Sequence, residues 1–463
     1  MSAIITNKFR IHNAEQFYES FDETAKTHYY LYVGRPLPFS STTGGGTDTV
    51  PPAPIDNVEE EFRNYRDMLA AKKITSADVQ FVIPRRDWTS GTVYDQYMHD
   101  YSSSNTTTSG ATNLGDSTFV VMTDEFKVYK CMWNNGGATA TAKPTHTSNV
   151  EVKTGDDYYW KYMYTLTSTQ VQKFLTVDFM PVYDTLGAVT GGTQTSVSSS
   201  AADGEIRRIL ITSGGSGFTD GDYHNVKIEG DGTLGECSVK VAAGVITEVT
   251  VTTQGVNYKY ADIDLTSKPS MGGGVTAPVF NAVIGPAGGH GNDSIKELYA
   301  FYVMTNTSLV GTEGAGDFVV DQDFRRVGVV RNPQEYGTTT LATDTTLNAL
   351  KTLTFSGSPG AFLVDEVITG GTSGAKAEVV RFDAGSKKLH YIQTDYNVSD
   401  DKKIKPFTAA ETITSTSLAT GVVDTLSNPE INYFSGDMLY CEQRAPIVRA
   451  TDQTENIKLV IEF

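Results

Sequence analysis

Alternating hydrophobic and polar positions dominate this chain and predict a protein built mainly of β-strands. The clearest example is residues 158–164 (YYWKYMY), where aromatic side chains recur at every second position and would line one face of a strand. Shorter β-type runs occupy residues 28–34 and 119–122. Residues 457–463 alternate again, with Ile, Leu, Ile and Phe on one face. A segment of this kind at the end of the chain is expected to dock in a sheet.

Helical spacing is confined to the N-terminal part of the chain. Asn13 is predicted to cap a short helix, with Gln16 closing a capping box. Asp56 and Glu59 repeat this pattern before a second helix, whose apolar spacing continues to about residue 73. Residues 40–54 between the two helices are rich in Gly, Thr and Pro, and predict an exposed loop.

An internal repeat marks a first stretch, residues 191–287. It opens with a Ser/Thr-rich segment, residues 193–202, predicted to be a linker. Five positions recur 40 residues later with the same chemistry: Ile206, Ile209, Ile211, Gly215 and Phe218 return as Ile246, Val249, Val251, Gly255 and Tyr258. A strand, a glycine turn and an aromatic residue are therefore duplicated. We call these aromatic residues, Phe218 and Tyr258, the plugs, because we expect each to fill the core beneath its turn. Two copies are too few for a solenoid, so we predict a small inserted β domain.

A weaker repeat occupies a second stretch, residues 338–426. Three positions recur 45 residues later: Phe362, Glu366 and Ile368 return as Phe407, Glu411 and Ile413. We predict a second small β module with glycine turns. The remaining residues, 1–190, 288–337 and 427–463, would form one discontinuous host domain. The predicted fold class is mainly β, with a β-sandwich-like host, a few short helices and two inserted β domains.

Composition narrows the classes of function. The 463 residues include 37 Lys and Arg against 55 Asp and Glu, a formal net charge of −18. This acidity argues against a nucleic-acid binder, which needs clustered cations, and against a lipid-surface anchor. No secretory leader and no apolar stretch of ~18 residues is apparent, so we expect no membrane partner. Three widely spaced cysteines, Cys131, Cys237 and Cys441, predict three buried thiols.

Motifs for catalysis or metal binding are absent, and we predict a protein that is not an enzyme and uses no cofactor and no metal. There is no HExxH and no GxSxG motif. Residues 370–376 (GGTSGAK) lack the Gly-Lys-Ser/Thr ending of a phosphate loop and are interpreted as a hairpin turn. The carboxylate pairs at residues 156–157 and 400–401 are interpreted as solvated turn residues.

One polar cluster is chemically unusual. A proline at position 84 precedes Arg85, Arg86, Asp87 and Trp88. Arg and Trp are enriched where interfaces bind tightly, and Arg forms bidentate pairs with carboxylates. The alternative is an internal Arg–Asp pair with Trp88 in the core. Both interpretations stay open, since an internal pair can direct the other arginine outward.

Six segments carry a resemblance to a known family, and they lie in family order at both ends of the chain. They are residues 3–10 (AIITNKFR), 30–39, 82–88 (VIPRRDW), 155–166 (GDDYYWKYMYTL), 323–334 with an FRxxxxxxNP pattern, and 435–463. The last block is long and ungapped and carries the most weight. By these segments the chain resembles the gene product eight family of baseplate wedge subunits of contractile-tailed, T-even-like phages. The resemblance fails across both repeat-bearing stretches.

The resemblance implies a structural, non-enzymatic role in the virion tail baseplate, with assembly in the host cytoplasm. Family members are mainly β and form homodimers within a wedge, and six wedges surround a hub. The implied partners are a second copy, the elongated wedge initiator proteins and the subunit that links wedges into a ring. The family offers no catalytic residues to transfer. The matched residues expected to provide family-specific structure or contacts are Arg85, Arg86, Asp87, Trp88, Arg444 and Pro446.

Two other functions compete with the scaffold. A phage adhesin or glycan-binding virion protein would also be acidic, glycine-rich and β-repetitive, and it would be a trimer. A polysaccharide depolymerase would use carboxylates such as Asp220, Asp222, Asp400 and Asp401 as acid–base pairs. That enzyme requires a long parallel β-helix with many short repeats, whereas each inserted stretch shows only two copies.

Overall fold

The computed structural model confirms the predicted mainly β class. It describes residues 3–23, 27–36, 38–39, 45–183, 193–310, 322–393, 404–448 and 453–463. The helices are α1 (Asn7–Glu19), α2 (Val58–Arg66), α3 (Ser168–Phe174), α4 (Thr193–Ser199) and α5 (Ser294–Glu297), with 3₁₀ turns at Ser76–Asp78, Leu265–Ser267 and Pro269–Met271. Residues 400–401 and part of the predicted loop at residues 40–54 lie outside the described residues.

The strands of the first half of the chain are β1 (Tyr29–Gly34), β2 (Met68–Ile74), β3 (Val79–Pro84), β4 (Val120–Met122), β5 (Lys127–Trp133), β6 (Val152–Lys153), β7 (Tyr159–Thr165), β8 (Phe179–Pro181), β9 (Ile206–Ser213), β10 (Gly221–Gly230), β11 (Thr233–Ala242), β12 (Val245–Val256), β13 (Ala261–Asp264) and β14 (Val279–Ile284). Those of the second half are β15 (Tyr302–Val310), β16 (Asp323–Arg331), β17 (Thr346–Asn348), β18 (Lys351–Ser356), β19 (Val367–Gly370), β20 (Lys376–Asp383), β21 (Lys388–Ile392), β22 (Thr412–Ser415), β23 (Thr420–Ser427), β24 (Asp437–Val448) and β25 (Thr454–Glu462).

The chain divides into two compact units that interleave in sequence. Unit 1 comprises Met1–Glu15, Gln80–Met304 and Val460–Phe463, and unit 2 comprises Gln16–Val79 and Thr305–Leu459. These boundaries follow contacts in space and do not test the predicted division into a host and two insertions. That division stays a prediction.

Unit 2 contains an antiparallel sheet in the order β17-β2-β1-β16-β24. The central strand β1 pairs on both sides, with Tyr29 opposite Arg331 of β16 and opposite Ile74 of β2. All six residues of β1 are buried, which explains its continuous apolar sequence YYLYVG.

The helix boundaries of the sequence analysis were wrong in three places. Helix α1 begins at Asn7, so Asn13 lies inside it, and the Thr6 hydroxyl accepts a hydrogen bond from the Phe9 N–H. Helix α2 is capped by Asn57 rather than Asp56, because the Asn57 Oδ1 accepts from the Glu60 N–H at 2.8 Å. The same helix ends at Arg66, since the next residues join β1 as strand β2.

A six-stranded closed barrel forms the second part of unit 2, in the order β18-β21-β20-β19-β22-β23. The order maps onto itself when β18, β19 and β20 are exchanged with β21, β22 and β23. The weak 45-residue repeat therefore corresponds to two interlocked three-strand halves. Their two phenylalanines, Phe362 and Phe407, are both buried in the barrel core.

The repeated glutamates of the barrel perform the same task in each half. Glu366 accepts from the Leu363 N–H at 3.0 Å, and Glu411 accepts from the Thr408 N–H at 2.6 Å. Glu411 also accepts from the backbone N–H groups of Thr372 and Ser373. The turn of residues 370–374 thus holds an anion, as a phosphate loop does, but the anion is a carboxylate of the same chain.

Unit 1 contains the aromatic sheet β4-β5-β7-β6. Its core includes Trp160, which stacks on Tyr158 at 5.6 Å between ring centroids. Val197 is buried in the same cluster. Residues 193–199, predicted to be a linker, are therefore helix α4, because Val197 gains apolar burial that a solvated linker would not provide.

The 40-residue repeat of unit 1 has the predicted turn chemistry in both copies. Gly215 and Gly255 have φ angles of +65° and +62°, and a Cβ on either one would lie within 3.0 Å of the plug ring that follows. The plugs Phe218 and Tyr258 are buried in one cluster. These strands form the sheet β12-β11-β10-β13 and the ribbon β14-β9, and a further sheet has the order β25-β15-β3-β8.

A buried arginine joins the sheet and the barrel of unit 2. Arg35 follows β1 directly, and its side chain is 3% exposed. Its guanidinium lies 2.6 Å from Asp323 Oδ1 of β16, 2.5 Å from Asp365 Oδ1 and 3.3 Å from Glu378 Oε1 of the barrel. One cation therefore compensates carboxylates from both parts. Removing it would leave the buried carboxylates of Asp323 and Glu378 without this cation, whereas Asp365 is 55% exposed.

We expect Arg35→Met to lower the free energy of unfolding by about 3–5 kcal/mol, because buried carboxylates lose their cation. Arg331→Met is the matched control, since Arg331 pairs with Asp437 at the surface and such pairs contribute less than ~1 kcal/mol. Urea denaturation of both variants measures the difference. Equal losses in the two variants would contradict the assigned role of Arg35.

The same cluster predicts a pH dependence. Burial raises the pKa of Glu378 to about 7; Arg35 and Arg325 oppose the shift, and Asp365 and Asp67 add to it. Between pH 4.5 and 7 the folded state keeps a proton that the unfolded chain has released, so the free energy of unfolding falls as pH rises. We expect Glu378→Gln to flatten this fall by about 1–3 kcal/mol in melts from pH 4.5 to pH 8. Parallel curves for the wild type and the variant would refute the assignment.

Candidate partner-contact site

The backbone of residues 85–88 is fixed on both sides. The Arg85 N–H donates to the Asp178 carbonyl at 2.7 Å as β3 ends. The Trp88 N–H donates to the Met122 carbonyl at 2.8 Å, and the Met122 N–H donates to the Arg86 carbonyl at 2.8 Å. These bonds set the direction of each side chain in the segment.

Three of the four clustered residues make internal contacts. The Arg85 Nε lies 2.9 Å from Asp87 Oδ1, and the Arg85 guanidinium also donates to the Thr176 carbonyl at 2.8 Å. Trp88 is half-buried and packs against the aromatic core cluster that contains Trp160. An Arg–Asp pair and a packed tryptophan are present, as one of the two sequence interpretations expected.

Arg86 differs from its neighbours. Its guanidinium is half-buried, and it makes no hydrogen bond or ion pair with the residues that the structure describes. It lines a cavity of unit 1, whose other polar and aromatic walls are Asp116, Phe119, Tyr299, Phe301 and Tyr302. Burial lowers the pKa of Arg86, and the carboxylates of Asp95 and Asp116 raise it. We call this cavity the Arg86 pocket.

The chemistry of the Arg86 pocket suits one carboxylate from another molecule. A half-buried guanidinium with open donors binds a carboxylate in bidentate geometry, and nearby rings exclude water from the pair. Asp116 offsets part of the positive charge, and its own carboxylate is held by the Asn113 amide at 2.6 Å. A multiply charged anion fits this balance less well than a single carboxylate does.

The aromatic wall of the pocket was not predicted from the sequence. Tyr299, Phe301 and Tyr302 are supplied by residues 297–303 (ELYAFYV), more than 200 positions after Arg86. Tyr299 has a φ of +57°, in the left-handed region that costs a non-glycine residue energy. The aromatic run itself was a signal, but nothing in the sequence linked it to Arg86.

Arg444 and Pro446 do not join this pocket. Both lie on β24 in unit 2, where Arg444 Nε donates to Glu442 Oε1 at 2.8 Å. Pro446 lies in an irregular stretch, where residues 444–446 oppose only Arg325 of β16. The six candidate residues therefore do not form a single site within either unit.

A second cluster in unit 1 has ionisable groups but no access for a substrate. Lys130 is fully buried, with its Nζ 2.5 Å from Glu297 Oε2 and 2.7 Å from His290 Nδ1. Burial, together with the charges of Lys130, Arg207 and Lys161, lowers the pKa of His290 well below its usual value. The neutral imidazole accepts a hydrogen bond from Lys130 through Nδ1, which is a structural arrangement.

The remaining candidate chemistry is sparse. In the part of the chain that the structure describes, no three His, Cys, Asp or Glu side chains gather to hold a metal ion. Cys131 and Cys237 are buried, whereas Cys441 is only half-buried, which corrects the prediction of three buried thiols. No helix within the described ranges has the length and apolar character needed to cross a membrane.

Fold and site together define a mainly β protein with a pocket around Arg86. Residues 3–135 match the family described as Bacteriophage T4, Gp8. The chain is 26% identical over 185 residues to the "Baseplate wedge protein gp8" of Enterobacteria phage T4, a match that covers 35% of this chain and 55% of that protein. The chain thus matches about half the length of this relative. Together the two matches support assignment to the Gp8 family, as the resemblance predicted.

The contrast between the two arginines gives a test of the pocket. We expect Arg85→Met to lower the free energy of unfolding by about 1 kcal/mol, because Asp87 and the Thr176 carbonyl lose their donor. Arg86→Met is expected to change stability by less than about 0.5 kcal/mol or to raise it, because a half-buried cation without a partner is removed. Chemical denaturation of both variants measures this. A larger loss for Arg86→Met would mean that Arg86 has an internal structural role.

Proposed function

We propose that this protein is a structural subunit of a phage tail baseplate wedge, that it is not an enzyme, and that it acts as a homodimer. The match of residues 3–135 to the Gp8 family carries the proposal. The protein is incorporated into the virion during assembly in the host cytoplasm, where it binds the elongated initiator subunits and the ring-linking subunit. It keeps its internal structure while the tail contracts.

The architecture supports a scaffold role. Twisted antiparallel sheets with buried aromatic faces resist deformation, and the closed barrel has no open sheet edge. The Arg86 pocket offers a partner one guanidinium and an aromatic wall, which is the composition of a hot spot. We assign Arg86 to a contact with a carboxylate of a neighbouring wedge subunit.

Residues 191–287 and 338–426 are proposed to be additions to the host, as the two repeats predict. Each has its own hydrophobic core cluster, which supports this division. The first addition is joined closely to its surroundings in unit 1, because the Arg208 guanidinium lies 4.7 Å from the ring centroids of both Trp133 and Tyr159. A variant that deletes this addition should therefore keep Arg208, because Arg208 contacts the host residues Trp133 and Tyr159.

We expect light scattering after size exclusion to give about 100 kDa, twice the chain mass of 50.2 kDa.

Co-purification with other wedge proteins of the same phage then tests the contact site. Arg86→Glu should reduce capture at least tenfold, since it reverses the charge that faces a carboxylate. Asp87→Asn is the matched control, because Asp87 pairs within the chain. A stable trimer would instead favour the adhesin, and equal capture by wild type and Arg86→Glu would remove Arg86 from the contact.

A further inference from the structure

An exposed apolar patch surrounds helix α2 in unit 2. Val58 is 64% exposed and Phe62 is 42% exposed, and they lie four residues apart on the same side of the helix. Phe434 is 46% exposed and contacts Phe62 at 4.8 Å between ring centroids. Ile55 and Leu439 extend the patch along a neighbouring cleft. We call these five residues the α2 patch.

Phe434 is held in a strained backbone conformation to reach this patch. Its φ is +64°, in the left-handed region that a bulky residue rarely adopts. The ring is fixed by Phe62, by Tyr65 at 5.7 Å and by the Arg66 guanidinium at 5.5 Å. Strain that holds a hydrophobic ring half-exposed is typical of a binding surface rather than of a core.

The charges on α2 are arranged in two halves. The first turn carries Glu59, Glu60 and Glu61, and the second half carries Arg63 and Arg66. Within the helix Arg63 pairs with both Glu59 and Glu60, so the variants Glu59→Arg and Glu60→Arg lose the same internal partner. Glu59 precedes Phe62 by three residues and Arg66 follows it by four, so the helix period places all three on one stripe. A stripe with acid at one end, a phenylalanine in the middle and base at the other is complementary to itself when reversed.

We propose that the α2 patch is the contact between two copies of this chain. The two α2 helices pack antiparallel about a twofold axis beside Phe62, so that Glu59 of each copy faces Arg66 of the partner subunit. A twofold interface requires this self-complementarity, since the same surface serves both subunits. The inference rests on the homodimer of the proposed function and assigns a surface to it.

A charge exchange tests this geometry. We expect Phe62→Asp to give a monomer by light scattering after size exclusion. Glu59→Arg should raise the dimer dissociation constant at least about tenfold, because two attractive pairs become repulsive. The double variant Glu59→Arg with Arg66→Glu restores both pairs and should return within about threefold of wild type. Glu60→Arg is the control, since it makes the same change in the same turn but off the stripe.

Circular dichroism of each variant separates loss of the dimer from loss of the fold. A dimeric wild type with a folded, monomeric Phe62→Asp and a rescued double variant supports the proposal. A dimeric Phe62→Asp, or a double variant no tighter than Glu59→Arg, overturns the surface but leaves the proposed homodimer intact. A monomeric wild type overturns the homodimer and this surface together.

Discussion

The buried guanidinium of Arg35 is the interaction on which the arrangement of unit 2 depends. Removing an arginine from water is costly, and the cost is met only where carboxylates converge on it. Here one carboxylate comes from the sheet and two come from the barrel, so the barrel has one position that satisfies all three. Unit 1 uses the same principle, since Lys130 is buried between Glu297 and His290. Such clusters specify geometry more than they add net stability.

The residues in the turns are the second feature that determines the fold. Gly215 and Gly255 adopt positive φ angles that leave room for a plug ring, and a side chain there would collide with that ring. In the barrel, Glu411 satisfies the backbone N–H groups of the glycine turn. Although burial raises the pKa of Glu411, its hydrogen bonds from Ser373 and Thr408 lower it below the usual value, so the turn remains bound to an anion. Turn interactions thus help to define both the 40-residue repeat and the barrel.

Local patterns in the sequence predicted most strands, although alternation did not report burial at every position. In β7 the aromatic stripe is buried as expected, but Lys161 and Met163 on the opposite face are buried as well. The predictions failed where the local structure depends on residues far away in the sequence. Residues after Arg66 continue a helical spacing but form β2, because they pair with β1 through antiparallel backbone hydrogen bonds. Val197 has no local signal for burial, and its place in the core depends on Trp160. The walls of the Arg86 pocket likewise come from residues far apart in sequence.

Each of the two proposed contact surfaces takes one part from the same stretch of the chain. Arg86 and helix α2 both fall within residues 3–135, the part that matches the Gp8 family, whereas the barrel and residues 206–284 lie outside it. They also lie on different units, Arg86 on unit 1 and α2 on unit 2. On the two proposals above, a second copy binds through one unit and another protein through the other, so that one contact is kept while the other changes. Hydrogen-bonded antiparallel sheets suit this arrangement, because they resist deformation when a partner binds at either surface.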